Sequence, residues 1–204
     1  MNQQDNLAIV YNEIYSENPN VFGESAEFVK KAVGYKDGGC ALDLGSGEGR
    51  NAIFLAEHGF VVDAIDISQV ATRKLKKEAH LKRLAIHAIT ADVRTAEISK
   101  DYDMIVVFFL LHLFRRKTAL ELIEKLTDKT KRGGLHVIAA FTRHGDFYNN
   151  TPDNFFLREK ELKELYPGWE VLDYEEKKED ALAKHEDGTP MKNVCAYMIV
   201  KKPV

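Results

Sequence analysis

At 204 residues the chain is long enough for one domain around a single core. Its 29 basic and 32 acidic side chains leave a formal charge of −3, without the basic excess that marks a nucleic-acid-binding surface. Its longest apolar run, Met104–Leu111, falls far short of the roughly 20 residues a membrane-spanning helix needs.

The N-terminal MNQQDNLAIV has no basic start followed by an apolar core, so no secretion signal is expected and a cytoplasmic protein is. Helical spacing of Leu7, Val10, Tyr11 and Ile14 predicts a helix over 5–17, broken by Asn18-Pro19-Asn20. A second helix is expected over 24–34, then a turn at Lys36-Asp37-Gly38-Gly39. Cys40–Leu44 reads as a buried strand and runs into a glycine-rich loop, followed by a helix over 48–58 that Gly59 closes. Phe60–Ile65 is a second strand, and Ser68 caps a helix running to about residue 80.

Ala85–Thr90 and Met104–Phe109 are the third and fourth strands, the latter apolar throughout, as a strand covered on both faces should be. A helix over 117–130 ends before Gly133-Gly134, and Leu135–Phe141 is the fifth strand. Residues 142–157 read as a polar loop, and Arg158–Tyr166 as a short helix stopped by Pro167-Gly168. Trp169–Glu176 and Val194–Lys201 are expected to pair as an antiparallel hairpin at one sheet edge. Alternating strands and helices predict an α/β fold with a doubly wound, mostly parallel sheet and helices on both faces. The organisation expected is one domain: a helical cover (1–34), a cofactor-binding core (35–141), and a substrate-side part (142–204) of loop, short helix and hairpin.

The chemistry concentrates in Leu42–Arg50, LDLGSGEGR. Gly45, Gly47 and Gly49 form GxGxG, whereas a dinucleotide fingerprint is GxGxxG or GxGxxA. A pyrophosphate at a helix N-terminus wants no anion nearby, yet Asp43 precedes the loop and Glu48 lies in it. Two carboxylates suit a ligand carrying an ammonium and a sulfonium, which points to S-adenosyl-L-methionine over a nicotinamide cofactor. Ser46 and Arg50 complete the loop contacts. Asp66, closing the second strand about 20 residues after the loop begins, is placed to accept the ribose hydroxyls, with Ile67 beside it. Asp92 closes the third strand as a candidate acceptor for the adenine amino group, next to Val93, and Phe108 and Phe109 close the fourth, where they can pack near the loop. Asp63, inside its strand, reads as structural.

Methyl transfer needs alignment and exclusion of water more than catalytic groups, although an alcohol or amine acceptor needs a base. His112, after the fourth strand, is a candidate base or orienting group, set against a half-buried helix-start histidine. Arg143 and His144, after the fifth strand, are candidates for holding an anionic acceptor, set against a solvated loop. Tyr15 and Phe22 are candidate lid residues over the cofactor, where a sulfonium can meet aromatic faces; Tyr11 reads equally well as core. Cys40 and Cys195 read as buried thiols, and with no CxxC or Cys/His cluster no metal site is expected. Two rivals remain: a non-catalytic S-adenosylmethionine-binding module and a NAD-dependent oxidoreductase.

LDLGSGEGRNA, AIDIS and TADV, with a Gly-Gly pair before the fifth strand, resemble class I S-adenosylmethionine-dependent methyltransferases. The resemblance spans essentially the whole chain and implies seven strands with the last antiparallel. The stretches DLGSGEGRN, LAEHGFVVDAIDIS and EKELKELYPGWEVLDYEE resemble the small TehB-type methyltransferases of tellurite resistance. That family carries a His-Arg pair and a further Arg before the last strand; here these positions fall near Leu182-Ala183, with His185 and Lys192 as the nearest substitutes. The partners implied are a small-molecule substrate, no nucleic acid and no membrane, for a monomer or homodimer.

Overall fold

The computed structural model describes residues 3–17 and 20–204; the predicted break at Asn18-Pro19 lies outside the described residues. The elements in chain order are α1 (Gln3–Glu17), α2 (Glu27–Ala32), β1 (Gly39–Leu44), α3 (Arg50–Glu57), β2 (Phe60–Asp66), α4 (Gln69–Lys82), β3 (Ile86–Thr90) and β4 (Tyr102–Phe108). A 3-10 turn (Leu111–Leu113) precedes α5 (Arg116–Asp128), β5 (Thr130–Gly145), α6 (Asp146–Asn150), α7 (Glu161–Glu164), β6 (Glu170–Lys184) and β7 (Pro190–Lys201).

The seven strands form one sheet in the order β3-β2-β1-β4-β5-β7-β6. β1 through β5 pair in parallel, and β7 inserts antiparallel between β5 and β6. Alternate residues of each strand feed opposite faces. Leu42, Leu44, Ile105 and Val107 pack on one face against Leu122, Ile123 and Leu126 of α5. Ala41, Val62, Met104 and Val106 pack on the other against Phe28 of α2, Leu55 of α3 and Leu75 of α4. Both faces are therefore sealed, which explains the unbroken apolar sequence of β4. The strand order reverses between β1 and β4, and that switch point opens a crevice at the carboxyl ends of the strands.

The structure corrects several boundaries. The cap of α3 is Gly49 with φ +87°, so the helix starts at Arg50, two residues after the expected start, because the loop needs left-handed backbone up to its last glycine. The 142–157 segment is not a polar loop throughout. β5 runs to Gly145, α6 follows, and Phe155, Phe156 and Leu157 are buried, with Leu157 N–H donating to the Phe141 carbonyl. Only Glu161–Glu164 is helical within 158–166. The hairpin is much longer than its apolar pattern: β6 and β7 stay paired out to Lys184 and Pro190 through charged sequence, held by the backbone ladder. No helix among the described residues is long and apolar enough to cross a membrane.

Candidate functional site

The carboxyl end of β1 turns sharply into the glycine loop, whose N–H groups are tied to the neighbouring strand. Gly45 and Ser46 N–H both donate to the Ile65 carbonyl (2.8 and 3.1 Å). Gly47 N–H donates to Asp66 Oδ2 at 2.8 Å, and Ser68 N–H donates to Asp66 Oδ1 at 2.8 Å. Asp66 thus holds the loop against the start of α4 while lining the crevice. Burial pushes its carboxyl upward, partly offset by those two donors. Gly47 has φ +54° and lies directly under the Tyr15 hydroxyl, so a side chain there meets both backbone strain and a neighbour.

A cavity of about 540 Å³ opens over this loop, within the range of small-molecule sites. Gly45, Ser46, Arg50, Asp66, Ile67, Asp92, Val93, Phe108, Tyr15 and Phe22 line it. Gly47 and Gly49 shape the loop from behind. Asp43, buried on the α3 face, does not line the cavity either. Its carboxyl accepts from the Ala52 N–H, and burial raises it to about 7, with Arg50 pulling the other way. Its Oδ2 and the Ser46 hydroxyl are buried without hydrogen-bond partners.

Glu48 lines the cavity, as the loop position implies, and is also engaged from outside it. Its Oε1 receives Lys74 Nζ at 2.7 Å and its Oε2 receives the Val21 N–H at 3.2 Å. Arg50 Nη1 likewise donates to the Phe22 carbonyl at 2.7 Å, and Asn51 Oδ1 accepts from the Ala26 N–H at 3.1 Å. The loop's charged side chains hold the N-terminal cover. Within that cover, Tyr15 is buried, with its ring 6.2 Å from Tyr11 and 6.1 Å, edge-on, from Phe22.

Asp92 is gripped by Arg94, whose Nη2 lies 2.6 Å from Oδ2 and whose Nε lies 3.0 Å from Oδ1. Both residues line the cavity. Asp63 accepts from the Tyr102 hydroxyl at 2.7 Å and pairs with Lys100 at 2.9 Å, a structural role. His112 lies outside the cavity lining, among Phe141, Phe147 and Phe156. Its Nδ1 is buried without a partner, and burial lowers its pKa to about 4. Arg143 and His144 are exposed at the end of β5 and do not line the cavity. His185 Nε2 lies 3.1 Å from Asp146 Oδ2, which also accepts the Lys192 N–H at 2.7 Å; Leu182 is exposed on the hairpin.

Sequence reasoning missed Arg94, Leu110 and Phe114, all of which line the cavity, as does Phe109. Phe109 carries φ +50°, rare for a bulky residue, a bend that the sequence does not reveal. Arg94 had a signal: it lies two residues after Asp92 in TADVR.

A parallel sheet with β7 reversed, a GxGxG loop after β1 and an acidic residue closing β2 define the class I S-adenosylmethionine-dependent methyltransferase fold. The chain belongs to the TehB family: the family model described as tellurite resistance protein TehB matches residues 8–199. A probable S-adenosyl-L-methionine-dependent methyltransferase TehB from Haemophilus influenzae is 30% identical over 161 residues, 79% of this chain and 56% of that protein. A protein named Hemagglutinin 1 from Eikenella corrodens is 34% identical over 165 residues, 79% of this chain and 54% of that protein. The chain thus spans about half the length of the curated relatives it matches. The crystal structure of TehB from Haemophilus influenzae superposes with a TM-score of 0.80 at 27% identity, over 94% of this chain and 67% of that one. The N-methyltransferase NodS from Bradyrhizobium japonicum, solved with S-adenosyl-L-homocysteine, superposes at 0.70 with 15% identity over 100% of both chains, a likeness of fold alone.

Proposed function

We propose that this chain is an S-adenosylmethionine-dependent methyltransferase for a small acceptor that is already nucleophilic, such as a thiolate or a metalloid oxyanion. The observation that carries the cofactor reading is the cavity over the glycine loop, lined by Gly45 and Ser46 of the loop and by Asp66 at the end of β2. These residues fit the group. Asp66 retains lone pairs for ribose hydroxyls beyond its two N–H donors, and Asp92, which also lines the cavity, would accept from the adenine amino group. Arg50, at the loop end, is placed for a carboxylate, while Tyr15 and Phe22 offer aromatic faces to a sulfonium. When bound, S-adenosylmethionine supplies the methyl group already activated on sulfur.

The acceptor reading rests on the state of the titratable groups. Asp66 is held by Gly47 and Ser68, Asp92 by Arg94, and Glu48 by Lys74 and Val21. Glu24 and Glu57 pair with Lys30 and Lys82. His112, at about 4 and outside the cavity lining, is neutral at physiological pH and a weak proton acceptor. A site with its carboxylates so engaged favours an acceptor that needs no base. The test combines calorimetry with S-adenosylhomocysteine and a methylation panel of tellurite, selenite, small thiols, carboxylates and primary amines. Binding with transfer to the thiols or oxyanions is expected. No binding refutes the cofactor reading; preferred transfer to amines refutes the acceptor reading.

A further inference from the structure

The aromatic cover and the glycine loop come from separate segments of the chain, so something must register the two. Helix α1 ends at Glu17 and has no basic residue in its last turn. Its final carbonyls lack helical partners and its terminus carries partial negative charge, which an acidic last residue makes worse. The missing cation comes from another element. Lys74, on α4, reaches across and donates to the Tyr15 carbonyl. The same ammonium donates to Glu48 Oε1 at 2.7 Å, and Glu48 Oε2 takes the Val21 N–H at 3.2 Å. One lysine and one loop carboxylate thus hold both sides of the segment that carries Tyr15 and Phe22. Asn12 adds a second tie between α1 and α4, its Oδ1 accepting the Ser68 hydroxyl at 2.8 Å and the Val70 N–H at 3.1 Å.

We propose that Lys74 and Glu48 are positioning residues that seat Tyr15 and Phe22 over the cofactor loop, so that cofactor affinity depends on a lysine outside the cavity lining. The inference rests on the cofactor reading above, and adds that the loop's acidic residue, while lining the cavity, also ties down the cover. Lys74 fits this role because its ammonium offers three donors, enough for a carbonyl and a carboxylate together. Glu48 neutralises that charge close to where a cationic cofactor would bind.

The test uses the full chain with Lys74→Met, which keeps the aliphatic stem, together with Lys74→Arg and Glu48→Gln. Lys77→Met, which removes an exposed α4 lysine outside the cavity lining, serves as control. Two quantities are read: S-adenosylhomocysteine affinity by calorimetry, and backbone hydrogen exchange of residues 20–26 with and without that ligand. Lys74→Met is expected to weaken binding about tenfold or more, the scale of losing a charge-assisted hydrogen bond. It should also speed exchange at 20–26 in the free protein, while Lys74→Arg restores most of both and Lys77→Met changes neither. Wild-type affinity and wild-type exchange in Lys74→Met overturn the proposal. Failure of the wild-type protein to bind the ligand overturns the cofactor reading instead, and exchange in the free proteins still decides whether Lys74 holds the cover.

Discussion

Replacing Gly47 with alanine separates two physical effects that meet at one atom. Gly47 sits at φ +54°, where an L-residue with a Cβ costs roughly 1–2 kcal/mol relative to its preferred conformations. That cost belongs to the folded loop and appears as lost thermal stability whether or not a ligand is present. The new Cβ also runs into the Tyr15 hydroxyl, which cannot remain where it is. Tyr15 is buried between Tyr11 and Phe22, so its displacement disturbs the whole cover. Together the two effects should weaken S-adenosylhomocysteine binding by about tenfold to a hundredfold, the equivalent of about 1.4–2.8 kcal/mol. Adding Tyr15→Phe removes the colliding oxygen. The double variant should regain much of the affinity while its melting temperature stays low, since the backbone strain remains. Calorimetry and thermal melts on the four proteins of this cycle measure both quantities. Wild-type affinity in Gly47→Ala, or no recovery of affinity in the double variant, would refute the reasoning.

Other changes probe the remaining parts of the site. Asp66→Ala leaves the Gly47 and Ser68 N–H groups unpaired and removes the expected ribose acceptor, so calorimetry should show at least a tenfold loss of S-adenosylhomocysteine affinity. His112 and His136 have folded values lowered by burial from 6.5 to about 4 and about 3, so the unfolded chain takes protons that the folded chain refuses. Stability should therefore fall as pH drops below about 6.5, with each histidine contributing up to roughly 1.4 kcal/mol per pH unit. Asp43 acts oppositely: raised from 3.8 to about 7, it costs stability as pH climbs through that window. Denaturant titrations between pH 4.5 and 6.5 should show a shallower acid loss in His136→Gln and a steeper one in Asp43→Asn. Changing Arg143 and His144 together to alanine should leave S-adenosylhomocysteine affinity at its wild-type value, because both stand outside the cavity; a tenfold loss would bring them into the cofactor site.

The sheet was largely legible because each buried strand states its burial directly. The apolar run of β4 and the short apolar segments of β1, β2 and β3 lie where a doubly wound fold needs them, and the loop after β1 declares itself by glycine spacing. The hairpin and the segment after β5 were harder to read. The outer halves of β6 and β7 are paired through backbone hydrogen bonds while their side chains face water, so charge hides the period of two. Phe155–Leu157 are buried by the bridge to Thr142, a contact that local sequence does not encode.

The loop carboxylates mark the division between what sequence determines and what tertiary structure decides. Sequence alone placed Asp43, Glu48 and Asp66 near one loop. It could not tell which way each one points. Asp43 turns under α3, Asp66 grips the loop while facing the cavity, and Glu48 reaches Lys74 and Val21. Those directions depend on α1 and α4 crossing above the loop, with Lys74 and Tyr15 separated by 59 positions in the chain. Composition and spacing carry a residue's chemistry; only packing of distant segments fixes its partner.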